Sequence, residues 1–227
     1  MTQNYLYTVQ YINRVCQPIG IELANNQNVL NSKMSRGRPR KFDTQQALER
    51  AMMLFWEKGY QATSLDELTA AMRITRPSLY AAFGDKEKLF IQAIEFYQQR
   101  FSGRIGAALS EDIDTKSAIS LMLQRTLEIH TDPALPRGCF IVNSTLECCT
   151  WNDFLQRKFA EHYALSESAI YKRLRQGQMK GDVPADTDIR SLAQFYNGVS
   201  QGIAVLAKAQ NDPTAIRSIA DTAMQAW

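Results

Sequence analysis

From Asp43 to the C-terminus, apolar residues recur at three- and four-residue spacing almost without a break, the pattern of helices that bury one face. Ala47, Leu48, Ala51, Leu54 and Phe55 predict a first helix over 44–58, opened at Asp43 and stopped by Gly59. Ser64, with Glu67 three residues on, forms a capping box and opens a second helix that runs to Met72. Arg73-Ile74-Thr75 reads as a short turn. Thr75 then caps a third helix over 76–83, with Pro77 in its first turn, where a missing N–H does little harm. Gly84-Asp85 ends that helix and caps the next. Longer amphipathic helices are expected over 86–109, 116–130, 138–149, 152–176, 187–210 and 213–227. Pro133 and Pro136 mark one loop between them, and 177–184 forms another. No segment alternates as a strand would, so the chain reads as all-α, without an internal repeat.

Residues 1–33 differ from the rest. They are almost uncharged and rich in Asn and Gln, with a short apolar patch, Tyr5-Leu6-Tyr7-Thr8-Val9, and no sustained helical period. Such a segment cannot bury enough apolar surface to offset the entropy of ordering it. It reads as a disordered extension, and because every recognisable feature begins after it, Met34 is an alternative start.

The composition of the whole chain, 45% hydrophobic and 22% charged, is that of a globular protein. No apolar run approaches the ~20 residues of a membrane helix, and no secretory signal opens the chain, so a cytoplasmic protein is expected. Cys16, Cys139, Cys148 and Cys149 fit neither a disulfide framework nor a zinc-site spacing and are read as free thiols. With two histidines and adjacent cysteines as a poor tetrahedral pair, no metal site is expected. The net charge of +3 is unevenly spread. Residues 33–88 hold eleven Lys/Arg against seven Asp/Glu, whereas residues 89–227 hold fourteen against fifteen. A basic excess confined to one short segment is the footprint of a nucleic-acid-binding module.

That segment also carries two short helices joined by a tight turn, within a three-helix unit of the helix-turn-helix kind. A major groove admits one helix, whose N-terminal end must present side chains to base edges. Here that end offers Thr75, Arg76, Ser78 and, one turn on, Tyr80. Thr63 stands at the start of the preceding helix and Lys86 at the start of the following one, both suited to phosphates. Ahead of the unit, residues 34–41 form a basic arm in which Arg36, Arg38 and Arg40 surround a Gly-Arg-Pro core resembling an AT-hook. Such arginines either enter a narrow A·T-rich minor groove or touch phosphates only.

The stretches Gly59-Tyr60-Gln61-Ala62-Thr63-Ser64-Leu65 and Ile74-Thr75-Arg76-Pro77-Ser78-Leu79-Tyr80-Ala81-Ala82-Phe83-Gly84-Asp85-Lys86-Glu87-Lys88-Leu89-Phe90 resemble the DNA-binding domain of TetR-family repressors over about residues 42–90. Pro77 departs from the glycine that many members carry. The resemblance implies an all-α protein with an N-terminal three-helix helix-turn-helix domain over 42–88 and a larger helical ligand-binding and dimerisation domain over 89–227. By position it also implies DNA contacts at Thr63, Thr75, Arg76, Ser78, Tyr80 and Lys86. The expected partners are a double-stranded DNA operator, an unknown small-molecule effector and a second copy of the chain, with no cofactor and no membrane.

In the second half, Ile189, Leu192, Phe195, Tyr196, Val199, Ile203 and Leu206 share a broad face, with Gly198 and Gly202 four apart. With Ile216, Ile219, Ala220 and Ala223 they are expected to build a four-helix bundle across a two-fold axis. The effector pocket is expected among Phe96, Leu123, Leu127, His130, Phe140, Asn143, Trp151 and Phe195, with Phe101 and Phe154 nearby; His130 and Asn143 are its polar members. Cys139, Cys148 and Cys149 keep open a thiol-based electrophile-sensing repressor. A second alternative is an architectural protein that coats DNA without sequence preference. Nucleophile elbow, P-loop, dinucleotide loop and His-Glu-x-x-His motifs are all missing from the sequence, so no enzyme is expected.

Overall fold

The computed structural model describes residues 42–148, 153–210 and 212–227. The expected extension over 1–33, the arm with Arg36, Arg38 and Arg40, and Cys16, Cys149, Trp151 and the Cys148 side chain lie outside them. Among the described residues every regular element is helical: α1 Thr44–Lys58, α2 Leu65–Met72, α3 Arg76–Phe83, α4 Lys86–Tyr97, α5 Gly103–Ala107, α6 Thr115–His130, α7 Phe140–Cys148, α8 Asp153–Lys180, α9 Ile189–Ala209 and α10 Pro213–Ala223. None is long and apolar enough to cross a membrane.

The short helices are held by their caps. The Ser64 hydroxyl accepts from the Glu67 amide at 3.2 Å, and the Glu67 carboxylate accepts from the Ser64 amide at 2.8 Å, closing the capping box of α2. At its other end Arg73 takes the left-handed conformation (φ 57°). Its amide donates to Ala70 and that of Ile74 to Thr69, a Schellman closure built without glycine. Thr75 caps α3, and the Asp85 carboxylate accepts from the Lys88 amide at 2.8 Å to cap α4.

Two expected helices have different limits. The single helix over 86–109 is divided: α4 gives way to a wider turn over Gln98–Ser102, then α5, then a tight final turn over Ala108–Ser110. Tyr97 and Phe101 stack across the widened turn at 5.1 Å. The expected boundary at 88/89 falls inside α4, whose buried face (Phe90, Ala93, Ile94, Tyr97) runs straight through it. The helix expected to end at 176 continues to Lys180. Gly177 is a packing residue: a Cβ there would lie 2.5 Å from Thr115 Oγ1, Asp182 Oδ1 and Val183 Cγ2. The chain turns instead at Gly181 (φ 84°).

Two cores result. One is aromatic. Trp56 of α1 meets Tyr97 and Phe101 edge to face at 4.9 and 5.3 Å, and Phe90 does the same with Phe55 and Phe140 at 5.0 and 5.6 Å. The other is aliphatic: Leu123 and Leu127 of α6, Ile170 and Leu174 of α8, and Ile203 of α9 with Ile216 of α10. Buried Arg173 clamps the turn before α6 through the carbonyls of Leu109, Glu111 and Ile113.

Candidate functional site

The first turn of α3 is presented outward. Thr75, Arg76 and Tyr80 are exposed and Ser78 is half-buried, while Leu79 and Phe83 on the opposite face are buried. Thr75 Oγ1 lies 2.9 Å from Ser78 Oγ and accepts from the Ser78 amide at 3.4 Å, so these two hydroxyls share one edge of the turn. Arg76 Nε and Nη2 both donate to Asp66 Oδ1 of α2, at 3.0 and 2.6 Å, and this contact raises the guanidinium pKa further. Lys86 is half-buried with its Nζ 4.3 Å from the Tyr60 ring centre. Desolvation lowers its pKa, against the pull of Glu147 and Glu67.

Thr63 is the exception among the expected contacts. It is 1% exposed, and its hydroxyl donates to the Gly59 carbonyl at 2.6 Å. It shapes the turn that delivers α2 and offers no side chain outward. Ser64 is the exposed residue of that pair, and the Glu67 carboxylate beside it is held down to about pH 2, first by its bond to Lys58 and then by Ser64.

In the second half the expected pocket residues that the structure describes fall in different surroundings. Phe140 belongs to the aromatic core, 5.6 Å from Tyr97 and Phe90. Leu123 and Leu127 belong to the aliphatic core, and Phe96 is half-buried. Phe195 is 43% exposed and lines a separate cavity of about 450 Å³ with Val183, Pro184, Leu192 and Trp227. Phe101 is buried under Tyr97, and Phe154 is exposed beside Lys158. Periodicity placed these side chains on the inner faces of their helices but said nothing of which inner faces meet. Asn143 Nδ2 donates to the Arg137 carbonyl at 3.3 Å and so closes the turn ahead of α7. His130 is the polar member that keeps one ring nitrogen unsatisfied. It is buried, its Nδ1 meets no hydrogen-bond partner among the described residues, and burial depresses its pKa to about 4.

Some of the side chains expected at a dimer face, and one of the expected thiols, are placed among the described residues. Tyr196, Ile203, Ile216, Ala220 and Ala223, expected to face a second copy, are buried inside this chain. Of the expected face, Phe195, Gly198 and Gly202 lie on the outward side of α9, joined there by Val205, and nothing of this chain lies within 4 Å of where a Cβ on either glycine would stand. Cys139 is buried and accepts a hydrogen bond from the Tyr97 hydroxyl at 3.4 Å. Burial pushes its thiol pKa up, away from the reactive thiolate.

The contacts that join α1 and its turn to the second half left no mark in the sequence pattern. Glu147 of α7 accepts from the amides of Tyr60 and Gln61 at 2.9 and 2.6 Å. The Trp56 indole donates to the Gly138 carbonyl at 3.2 Å, and Arg100 pairs with Glu49. Each links residues more than fifty positions apart, beyond the reach of any local pattern.

Comparison with known proteins follows the same division. Residues 47–93 match the family model for bacterial regulatory proteins of the tetR family, and residues 115–223 match that for a tetracyclin repressor-like C-terminal domain. The HTH-type transcriptional repressor ComR of Escherichia coli (strain K12) is 33% identical over 196 residues, covering 86% of this chain and 93% of that protein. YezE of Bacillus subtilis (strain 168), an uncharacterized HTH-type transcriptional regulator, is 31% identical and covers 83% and 97%. Among solved structures, a cysteine mutant of the TetR family transcriptional regulator CifR, complexed with 26 bp double-strand operator DNA, is similar with a TM-score of 0.79. It is 35% identical and covers 84% of this chain and 100% of that one.

Proposed function

The chain belongs to the TetR family of transcriptional regulators, and we propose that it is a homodimeric repressor that holds a two-fold operator with its α3 helices and releases it when a small molecule binds the C-terminal helices. The observation that carries this reading is the exposed first turn of α3, where Thr75, Arg76, Ser78 and Tyr80 stand together above a buried Leu79–Phe83 face. A helix presented in this way has the dimensions and donors a major groove accepts. Lys86 supplies a phosphate contact beside it, and Arg36, Arg38 and Arg40 of the arm reach the flanking minor groove.

A two-fold operator requires two copies of α3, and the outward stripe of α9 supports the pairing. Phe195, Gly198, Gly202 and Val205 recur at three and four residues, the seam by which helices pack closely across a two-fold axis. Release then needs little energy. Weakening operator affinity a hundredfold takes about 2.7 kcal/mol of coupling. The cavity of about 450 Å³ beside Phe195, Leu192 and Trp227 lies among these C-terminal helices.

Selection of binding sites from random duplexes, followed by footprinting, tests the reading. One protected two-fold sequence that metabolite screening can release supports it. Coverage without sequence preference at moderate salt overturns it in favour of an architectural protein.

A further inference from the structure

The carboxylate of Asp66 touches Arg76 along one edge of the guanidinium only. Nε and Nη2 donate to the same oxygen, Oδ1, at 3.0 and 2.6 Å. A guanidinium has five N–H donors in a planar fork. With the side edge taken, Nη1 and the outer hydrogen of Nη2 form the remaining edge, the pair spaced to bond guanine O6 and N7. Both residues are solvent-exposed, their side chains 56% and 76% accessible, so the ion pair contributes little to the fold. It fixes a long side chain that would otherwise sample many rotamers, and it does so on the surface offered to DNA.

We infer that Asp66 is a positioning residue for operator recognition, holding Arg76 so that its free edge reads one guanine per half-site and not the phosphates around it. The inference rests on the reading of α3 as the recognition helix. Asp66 acts in two ways. It sets the plane and direction of the guanidinium, and its negative charge opposes a loose ion pair between Arg76 and the DNA backbone. The sequence positions agree with this role: Asp66 lies in the first turn of α2 and Arg76 opens α3, ten residues apart, and the Arg73 turn folds them together.

The test uses the full-length protein and its selected operator, with every base pair of the half-site substituted in turn. Affinities are measured for the parent chain and for Arg76→Ala, Asp66→Ala and Asp66→Asn. Arg76→Ala is expected to abolish preference at one guanine. Asp66→Ala is expected to lower discrimination at that same guanine about tenfold, chiefly by tightening binding to the substituted operator. Asp66→Asn, which keeps an acceptor oxygen but not the charge, is expected to fall between. Discrimination unchanged in Asp66→Ala, or affinity lost equally at all sequences, overturns the role of Asp66. No loss of base preference in Arg76→Ala overturns the reading of α3 contacts as well, so the two failures are distinct. Circular dichroism and thermal melting matching those of the parent chain establish that the variants are folded.

Discussion

The carboxylate of Glu147, near the end of α7, closes on the backbone amide of Tyr60 in the turn between α1 and α2 at 2.9 Å. Its other oxygen takes the Gln61 amide at 2.6 Å. The turn is thus capped by a side chain from the far half of the chain, 87 residues away. Gly59 makes the approach possible: a Cβ there would lie 2.6 Å from Glu147 Oε2. Hydrogen bonds to a charged acceptor are worth about 1.5–3 kcal/mol, so Glu147→Ala is expected to expose both amides. Hydrogen exchange at Tyr60 and Gln61 checks this: protection is expected to drop by at least tenfold at those two sites, while amides in α8 keep theirs. Because this carboxylate ties the turn before α2 to the effector half, the same variant is expected to bind operator but respond weakly to effector.

A second junction passes through Gly138. Its carbonyl accepts from Trp56, its amide donates to the His130 carbonyl at 3.3 Å, and its φ is 73°. A Cβ at this position would lie 2.8 Å from the Ala204 carbonyl, which is backbone and cannot swing aside. Gly138→Ala is expected to cost about 2–4 kcal/mol, combining a left-handed side chain with overpacking. Gly181→Ala is the control. It has a similar φ of 84° and nothing within 4 Å, so it should lose only the conformational part, about 1–2 kcal/mol. Urea unfolding of the two variants at equal m-values measures the difference. Equal losses would show that the Ala204 contact relaxes without cost.

What the sequence revealed and what it hid divide along contact range. Ser64, Thr75 and Asp85 announced their helices because a cap and its amide lie three residues apart. The outward turn of α3 followed from the same local signals. The widened turn at Gln98–Ser102 left no such mark, since neither proline nor glycine falls within it. Gly177 misled because a glycine that admits Thr115 and Val183 looks, in sequence, like one that ends a helix. Thr63 sits next to a true cap, and its hydroxyl is taken by the Gly59 carbonyl four residues back, a local turn contact that cap patterns do not distinguish. The surroundings of Phe140, Leu123 and Phe195 differ for a related reason: helical periodicity assigns a side chain to a face of its helix but carries no information on helix pairing.

Burial of His130 predicts acid sensitivity with a definite sign. Its pKa is lowered from 6.5 to about 4 in the folded chain. Between those values the unfolded chain binds a proton that the folded chain refuses, so stability falls as pH drops through 6.5 and levels off below about 4. At pH 5 the loss from this residue is about 2 kcal/mol relative to pH 7. His162, also held near pH 4 by burial, adds a loss of the same sign. His130→Phe is expected to flatten part of the dependence. Urea midpoints at pH 7 and pH 5 for parent and variant provide the check, and an identical pH slope in the two would exclude His130 as a contributor.

The outward stripe of α9 gives the sharpest separation between fold and assembly. Gly202 lies in mid-helix, with open space around the position a Cβ would take. Within one chain, replacing it with alanine should therefore stabilise α9 by about 0.8–1 kcal/mol through helix propensity alone. Across a two-fold axis the same methyl group keeps two backbones apart. Gly202→Leu enlarges both effects, and Val205→Glu, on the same stripe and 42% exposed, places a charge at the seam. Helicity is expected to be preserved in all three variants while the monomer–dimer dissociation constant rises, by about tenfold or more for Gly202→Leu and Val205→Glu. Sedimentation at micromolar concentrations reads the equilibrium directly, and operator affinity should fall with it because each half-site then binds α3 alone. A dimer of unchanged strength in both Gly202→Leu and Val205→Glu would place the two-fold axis on another face of the molecule.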